Sequence, residues 1–180
     1  MSAQGDAPLS PSAQDGSPEA PTVRPARPAD LPRVVELAAE HAAFEKAAPV
    51  PADLAERLSA LLFEVPAPRL RCLVAELPGG ELVGYATCAA EISTWDGAEF
   101  LHMDCLFLRD GHRGLGLGRL LLDAVAAEAR GLGLTEVQWQ TPVWNEGAIR
   151  FYDRMGVPAK EKVRYRMPVE QREQRDRHIR

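Results

Sequence analysis

Cysteine is scarce in this chain, with three in 180 residues. Cys72, Cys88 and Cys105 each sit in a strand-like apolar run rather than at metal-ligand spacing. An odd number of scattered thiols argues against a disulfide framework and fits reduced, buried side chains in a cytoplasmic protein. No apolar stretch approaches the length of a bilayer span, and the N-terminus lacks the basic-then-apolar pattern of a secretory signal, so no membrane partner is expected. The formal charge of -5 argues against a dedicated nucleic-acid binder while allowing a cationic small substrate. His41, His102 and His112 have no partner at ligand spacing, so no metal is expected.

What is present is enough for one domain with a buried core. Residues 1–21 are rich in Ala, Pro, Ser, Gly, Asp and Gln and nearly devoid of large apolar side chains, and read as a disordered leader. A single domain is expected over residues 22–168, with a charged, fraying tail over 169–180. It opens with a strand from Thr22 to Ala26 and a helix capped by Asp30, with Leu31, Val34, Val35, Ala38 and Ala42 as its buried stripe. Asp53 and Glu56 have capping-box spacing ahead of a second helix whose apolar set is Leu54, Leu58, Leu61 and Leu62.

The period then changes to that of strands. Leu70 to Leu77 and Leu82 to Ile92 flank Pro78-Gly79-Gly80, and Trp95-Asp96-Gly97 precedes a third run from Glu99 to Leu108, which together predict an antiparallel meander. A helix follows with Leu117, Leu120, Leu121, Ala124 and Val125 on one face, then a strand from Thr135 to Thr141. This strand-helix-strand unit implies a parallel, right-handed crossover. Asn145 caps a further helix stopped by Gly156, and the alternation of Lys162 to Met167 predicts a last strand. The fold class is therefore α/β, with a mixed, mostly antiparallel sheet and flanking helices.

Between the third strand and the crossover helix lies Arg113-Gly114-Leu115-Gly116-Leu117-Gly118. Three glycines and an arginine at a strand-to-helix turn make an anion cradle, because the helix start offers unpaired N–H groups and glycine lets a pyrophosphate approach the backbone. The spacing narrows the ligand. A dinucleotide fingerprint needs a third glycine where Arg119 stands, and a Walker loop needs Lys-Ser/Thr where Arg119-Leu120 stands. The remaining pattern, R-x-x-G-x-G, resembles the acetyl-coenzyme A loop of the GCN5-related N-acetyltransferase (GNAT) family. Within that family the chain is most similar to the diamine (spermidine/spermine-type) acetyltransferases. The likeness rests on Val23-Arg24-Pro25-Ala26, Phe44-Glu45, the stretch from His102 to Leu108, and Trp144-Asn145-Glu146 with Phe151-Tyr152.

The resemblance implies an enzyme that transfers acetyl from acetyl-coenzyme A to a primary amine of a small molecule: a polyamine, a lysine-like amino acid or an amine antibiotic. A protein N-terminal or lysine acetyltransferase and a non-catalytic coenzyme A sensor are the alternatives. It implies backbone contacts from Leu106 and Leu108 to the pantetheine arm, and a pyrophosphate held by Arg113, Gly114, Leu115, Gly116, Leu117, Gly118 and Arg119. Asn145 also touches pantetheine in this reading, Glu91, Trp95 and Asp96 frame the acceptor mouth, and the chain forms a homodimer. The chemistry needs a neutral amine, and an alkylammonium of pKa near ~10 calls for a base. Asp104 stands where the diamine enzymes carry a glutamate, and Tyr152 where the family carries its proton donor. Cys105 departs from the pattern, because those enzymes have a second acid there, which weakens the expectation of polyamine specificity.

Overall fold

The computed structural model describes residues 20–167. The expected leader lies outside the described residues apart from its last two positions, and the whole of the expected tail lies outside them. The chain divides into two units, Met1–Gln140 and Thr141–Arg180.

The first unit holds strand β1 (Thr22–Pro25), a 3-10 turn at Pro28–Asp30, helices α1 (Leu31–Phe44) and α2 (Leu54–Leu62), strands β2 (Leu70–Glu76), β3 (Leu82–Ser93) and β4 (Ala98–Leu108), helix α3 (Leu117–Gly131) and strand β5 (Val137–Trp139). The five strands form one sheet in chain order. The first three pairings are antiparallel and β4 pairs with β5 in parallel, across the crossover through α3. Both expected hairpins are present.

Strand alternation sends successive side chains to opposite faces. On one face Cys72, Val74, Tyr85 and Phe107 pack with Leu31, Val34 and Leu37 of α1 and Leu62 of α2. The other face is covered by α3, whose Leu117, Leu121, Leu122, Val125 and Ala129 are buried and whose Glu128 pairs with Arg71 at 3.0 Å. The stripe of α1 therefore runs through Leu37, with Val35, Ala38 and Ala42 only half-buried. Leu61 of α2, expected inside, is 54% exposed, because the helix is only nine residues long and turns a narrow face to the sheet.

Two expected caps are used otherwise. Asp30 precedes α1, yet its carboxylate makes no cap to the helix. It accepts instead from the Arg27 N–H at 2.7 Å and from both terminal nitrogens of Arg24, at 2.7 and 3.1 Å. Asp53 likewise caps nothing and pairs with Arg57 at 2.9 Å, since a nearby guanidinium is a stronger partner than a neutral amide.

In the second unit, Asn145 does cap helix α4 (Glu146–Arg154), its Oδ1 accepting from the Ala148 N–H at 3.2 Å. Gly156, at φ +70°, ends it. The expected strand from Lys162 to Met167 does not form. Its alternating Val163, Tyr165 and Met167 remain exposed and join no ladder among the described residues. Among those residues no helix is long and apolar enough to cross a membrane.

Arg24 ties three segments together, pairing with Asp30 after β1 and with Glu76 at the end of β2. Its guanidinium holds the Asp30 carboxyl below the usual carboxylate range. A carboxylate so depressed contributes stability above its unfolded pKa and loses it as pH falls through the folded value. Asp30→Asn should therefore cost about 1.5–3 kcal/mol in urea denaturation at neutral pH. The difference from wild type should shrink as pH drops below the ordinary aspartate range, and an equal difference at both pH values would exclude this origin.

Candidate active site

β4 is paired on one side along its whole length and on the other over three residues. The parallel ladder runs Leu101↔Val137, His102↔Gln138 and Met103↔Trp139 and stops. From Asp104 to Leu108 no described strand pairs with the β5 side of β4. The Arg109 N–H donates to the Val83 carbonyl at 2.9 Å. Counting back through the antiparallel alternation, Leu106 and Leu108 occupy the non-bonded pairs with β3, so their backbone groups turn toward the open side. The Leu108 carbonyl takes a bond from Arg113 Nε at 3.1 Å. Leu106 and Leu108 are the two residues expected to present backbone to a pantetheine arm.

That open edge leads into the glycine turn. Gly114 and Gly116 have φ of +82° and +81°, the left-handed region that favours glycine, and a Cβ at either would meet nothing within 4 Å. Backbone geometry thus requires these glycines, and the space in front of them is clear. Gly116 is the N-cap of α3, and its carbonyl accepts from the N–H groups of Arg119 and Leu120, which leaves those of Leu117 and Gly118 in the first turn for a ligand. Leu115 is exposed, while Leu117 is buried under the sheet and anchors the turn. Gly118 lies in the first turn of α3.

The two arginines differ. The Arg113 guanidinium sits 4.6 Å from the Phe44 ring centroid and 5.9 Å from that of Phe107, fastened to the end of β4. Arg119 points its Nε at both carboxylate oxygens of Asp123, at 2.9 Å each, on the exposed face of α3.

Asp104 lies at a β-bulge. The β3–β4 register passes from Cys88↔Met103 to Thr87↔Cys105, leaving Asp104 as the extra residue. A bulge turns two successive side chains toward one face. Cys105 and Asp104 accordingly meet on the α1 side, with Sγ 3.6 Å from Oδ2. Asp104 is exposed and Cys105 half-buried. Burial, then the neighbouring Asp104, pushes the Cys105 thiol up to about 11, and burial pushes those of Cys72 and Cys88 to about 12 and 11. A thiol so shifted is protonated at neutral pH and does not serve as a nucleophile.

The hairpin residues stand apart from this bulge. Glu91 pairs with Phe100, four residues before Asp104 and so about 13 Å away along β4. Trp95 is 98% exposed at the tip, and Asp96 accepts from the Ser93 hydroxyl. In the second unit, Tyr152 is half-buried on α4, its ring 5.1 Å from that of Phe151. Asn145 is engaged as the helix cap.

His41, which has no partner at ligand spacing, is a satisfied core residue. Its imidazole stacks on Phe107, with centroids 4.9 Å apart and planes at 19°, and its Nδ1 is 3.1 Å from the Tyr85 hydroxyl. The signal was its spacing, i+4 from Leu37 and i+7 from Val34, which places it on the buried stripe of α1. Among the described residues no group of three His, Cys, Asp or Glu is arranged to hold a metal ion.

The open edge of β4 thus runs into a glycine-capped helix start, where the glycine motif lies. The acetyltransferase (GNAT) family model matches residues 35–157. A thialysine N-epsilon-acetyltransferase of Caenorhabditis elegans is 31% identical over 121 residues, covering 67% of this chain and 72% of that protein. An L-ornithine N5-acetyltransferase of Arabidopsis thaliana is 44% identical over 55 residues, 31% of this chain and 24% of its own. Among solved structures, an integron cassette protein from the mobile metagenome of Cole Harbour Salt Marsh superposes with a TM-score of 0.68 at 25% identity, covering 83% of this chain and 91% of that one. Matched over two thirds of its length by the family model, the chain belongs to the GNAT family of acetyltransferases.

Proposed function

We propose that this acetyltransferase transfers acetyl from acetyl-coenzyme A to the terminal primary amine of a compact, amino-acid-like small molecule, using a catalytic domain over residues 22–168. The observation that carries the reading is the open edge of β4 from Asp104 to Leu108, which runs directly into the glycine turn. Acetyl-coenzyme A supplies an activated acyl group and a thiolate leaving group.

The residues present fit that ligand. Gly114 and Gly116 leave clear space before the first-turn N–H groups of α3, and those groups and the positive end of the helix suit a pyrophosphate. Leu106 and Leu108 offer backbone hydrogen bonds to the pantetheine amides. Arg113 closes the end of the strand, and Arg119 must leave Asp123 to reach a phosphate. Asp104 takes the proton from the incoming ammonium, directly or through water, so that the amine lone pair can attack the acyl carbon. Tyr152 gives its phenolic proton to the departing sulfur, and the backbone N–H near Leu106 meets the negative charge that develops on the acyl oxygen.

The acceptor class follows from charge and from the relatives' names. Thialysine and ornithine acetyltransferases both act, by name, on a side-chain amine of an amino acid. Cys105 stands beside Asp104 as a neutral thiol, so the bulge offers one carboxylate to a cation rather than two. A long polycation therefore finds fewer countercharges than a single terminal ammonium does.

A panel of amines assayed with acetyl-coenzyme A by thiol release tests the class. Lysine-like and ornithine-like acceptors should exceed spermidine and spermine in kcat/KM, and the reverse order would overturn the acceptor reading. Gly116→Asn, whose side chain tolerates a left-handed backbone, should weaken coenzyme A binding by about tenfold or more in calorimetry, with little change in Tm. Tyr152→Phe should lower kcat by about 10- to 1000-fold with cofactor binding intact, the scale for a lost proton donor. Wild-type turnover in that variant would remove Tyr152 from the chemistry.

A further inference from the structure

The turn that joins β4 to α3 has few fastenings in its own backbone. The His112 N–H donates to the Arg109 carbonyl at 3.2 Å, and the next backbone bond is accepted by the Gly116 carbonyl. Among the described residues no backbone–backbone hydrogen bond holds Arg113, Gly114 or Leu115 between them. Gly114 and Gly116 add freedom, since glycine resists neither the left-handed nor the right-handed backbone. The far end of the turn is pinned by Leu117, which is fully buried. The near end depends on the side chain of Arg113.

The loop motif alone leads one to expect Arg113 on a phosphate, yet its guanidinium is engaged elsewhere. Nε donates to the Leu108 carbonyl at 3.1 Å, and the guanidinium carbon lies 4.6 Å from the centroid of the Phe44 ring and 5.9 Å from that of Phe107. A cation over a ring face is attracted by the ring's quadrupole, and a planar guanidinium can stack there while its edge still donates. Phe44 is the last residue of α1, and its ring is also 6.5 Å from that of Phe107. Three segments distant in sequence thus meet at one guanidinium: the end of α1, the end of β4 and the start of the glycine turn.

We propose that Phe44 is a positioning residue for the cofactor: by stacking on Arg113 it fixes the start of the glycine turn, so that Arg113 serves as a strut and not as a ligand to phosphate. The inference rests on the reading of this turn as the coenzyme A site. An Arg113 guanidinium occupied by the Leu108 carbonyl and the Phe44 face would have to break both contacts to reach a phosphate. It would then release the very turn that presents the Leu117 and Gly118 N–H groups. Arg119, in the first turn of α3, is held by an exposed ion pair with Asp123, a contact of small energy, and is the more readily recruited cation. The aromatic end of α1 thereby acts on a ligand through Arg113, without touching it.

Calorimetry with coenzyme A tests the strut. Phe44→Leu keeps apolar bulk but removes the ring face, and should raise Kd about 2- to 5-fold, the scale of an exposed cation–π contact. Phe44→Tyr keeps the face and should bind as wild type does. Arg113→Met should raise Kd further, because it also loses the bond to the Leu108 carbonyl, and in that background Phe44→Leu should change little. Additive losses, or a Phe44→Tyr variant as weak as Phe44→Leu, would overturn the link, since loss of packing alone would give either. Salt supplies a second readout: between about 50 and 300 mM, Kd should rise by the same factor in Arg113→Met as in wild type. A flatter response in that variant would put the guanidinium on a phosphate and overturn the strut. If Gly116→Asn leaves coenzyme A binding unchanged, the reading of the turn fails and this inference with it. A loss in Gly116→Asn without one in Phe44→Leu sinks the role of Phe44 alone.

Discussion

Every backbone amide and carbonyl in a folded strand needs a partner, and β4 meets that need unequally on its two sides. Toward β3 it is paired over its full length, and toward β5 over Leu101 to Met103 only. The rest of that edge carries hydrogen-bonding groups with no strand to satisfy them, and in an acetyltransferase of this family an extended ligand is the natural substitute. An arm of alternating amides and methylenes can occupy such an edge much as another strand would. In the proposed function the glycine turn would receive the charged end of that ligand where the strand stops and α3 begins.

The bulge at Asp104 supplies the second constraint. It reverses the facing of everything after Asp104 on β4, so that Cys105 and Phe107 point to α1 while Leu106 and Leu108 turn to the α3 side. The same irregularity sets an exposed carboxylate beside a half-buried thiol. A regular strand would have placed Asp104 and Cys105 on opposite faces.

Most of the architecture was legible in the residues. Pro78-Gly79-Gly80, Trp95-Asp96-Gly97, and the periodic leucines after Gly116 mark turns and a helix whose chemistry is local, and these elements lie where the pattern put them. The glycine turn was legible for the same reason, since a left-handed backbone at two alternate positions admits few other residues. The elements that failed depend on distant partners. Lys162 to Met167 has the alternation of a strand, but a strand exists only where another accepts its hydrogen bonds. Asp30 and Asp53 have the position of caps, yet each found an arginine. The bulge was invisible because nothing in His102-Met103-Asp104-Cys105 announces an extra residue. The contacts of His41 with Phe107 and Tyr85 were out of reach because they join α1 to β3 and β4, which lie far along the chain.

Gly84 sits opposite Leu108, and a Cβ there would come within 2.6 Å of the Phe107 carbonyl and 2.5 Å of Leu108 Cδ2. The separation of β3 and β4 at the end of the open edge is therefore set by the missing methyl group of one core residue. A wider residue at 84 would push outward the strand end that carries the Arg113 anchor and the start of the glycine turn. The spacing between the bulge at Asp104 and the glycine turn is thus held from inside the sheet, at a residue that lines neither.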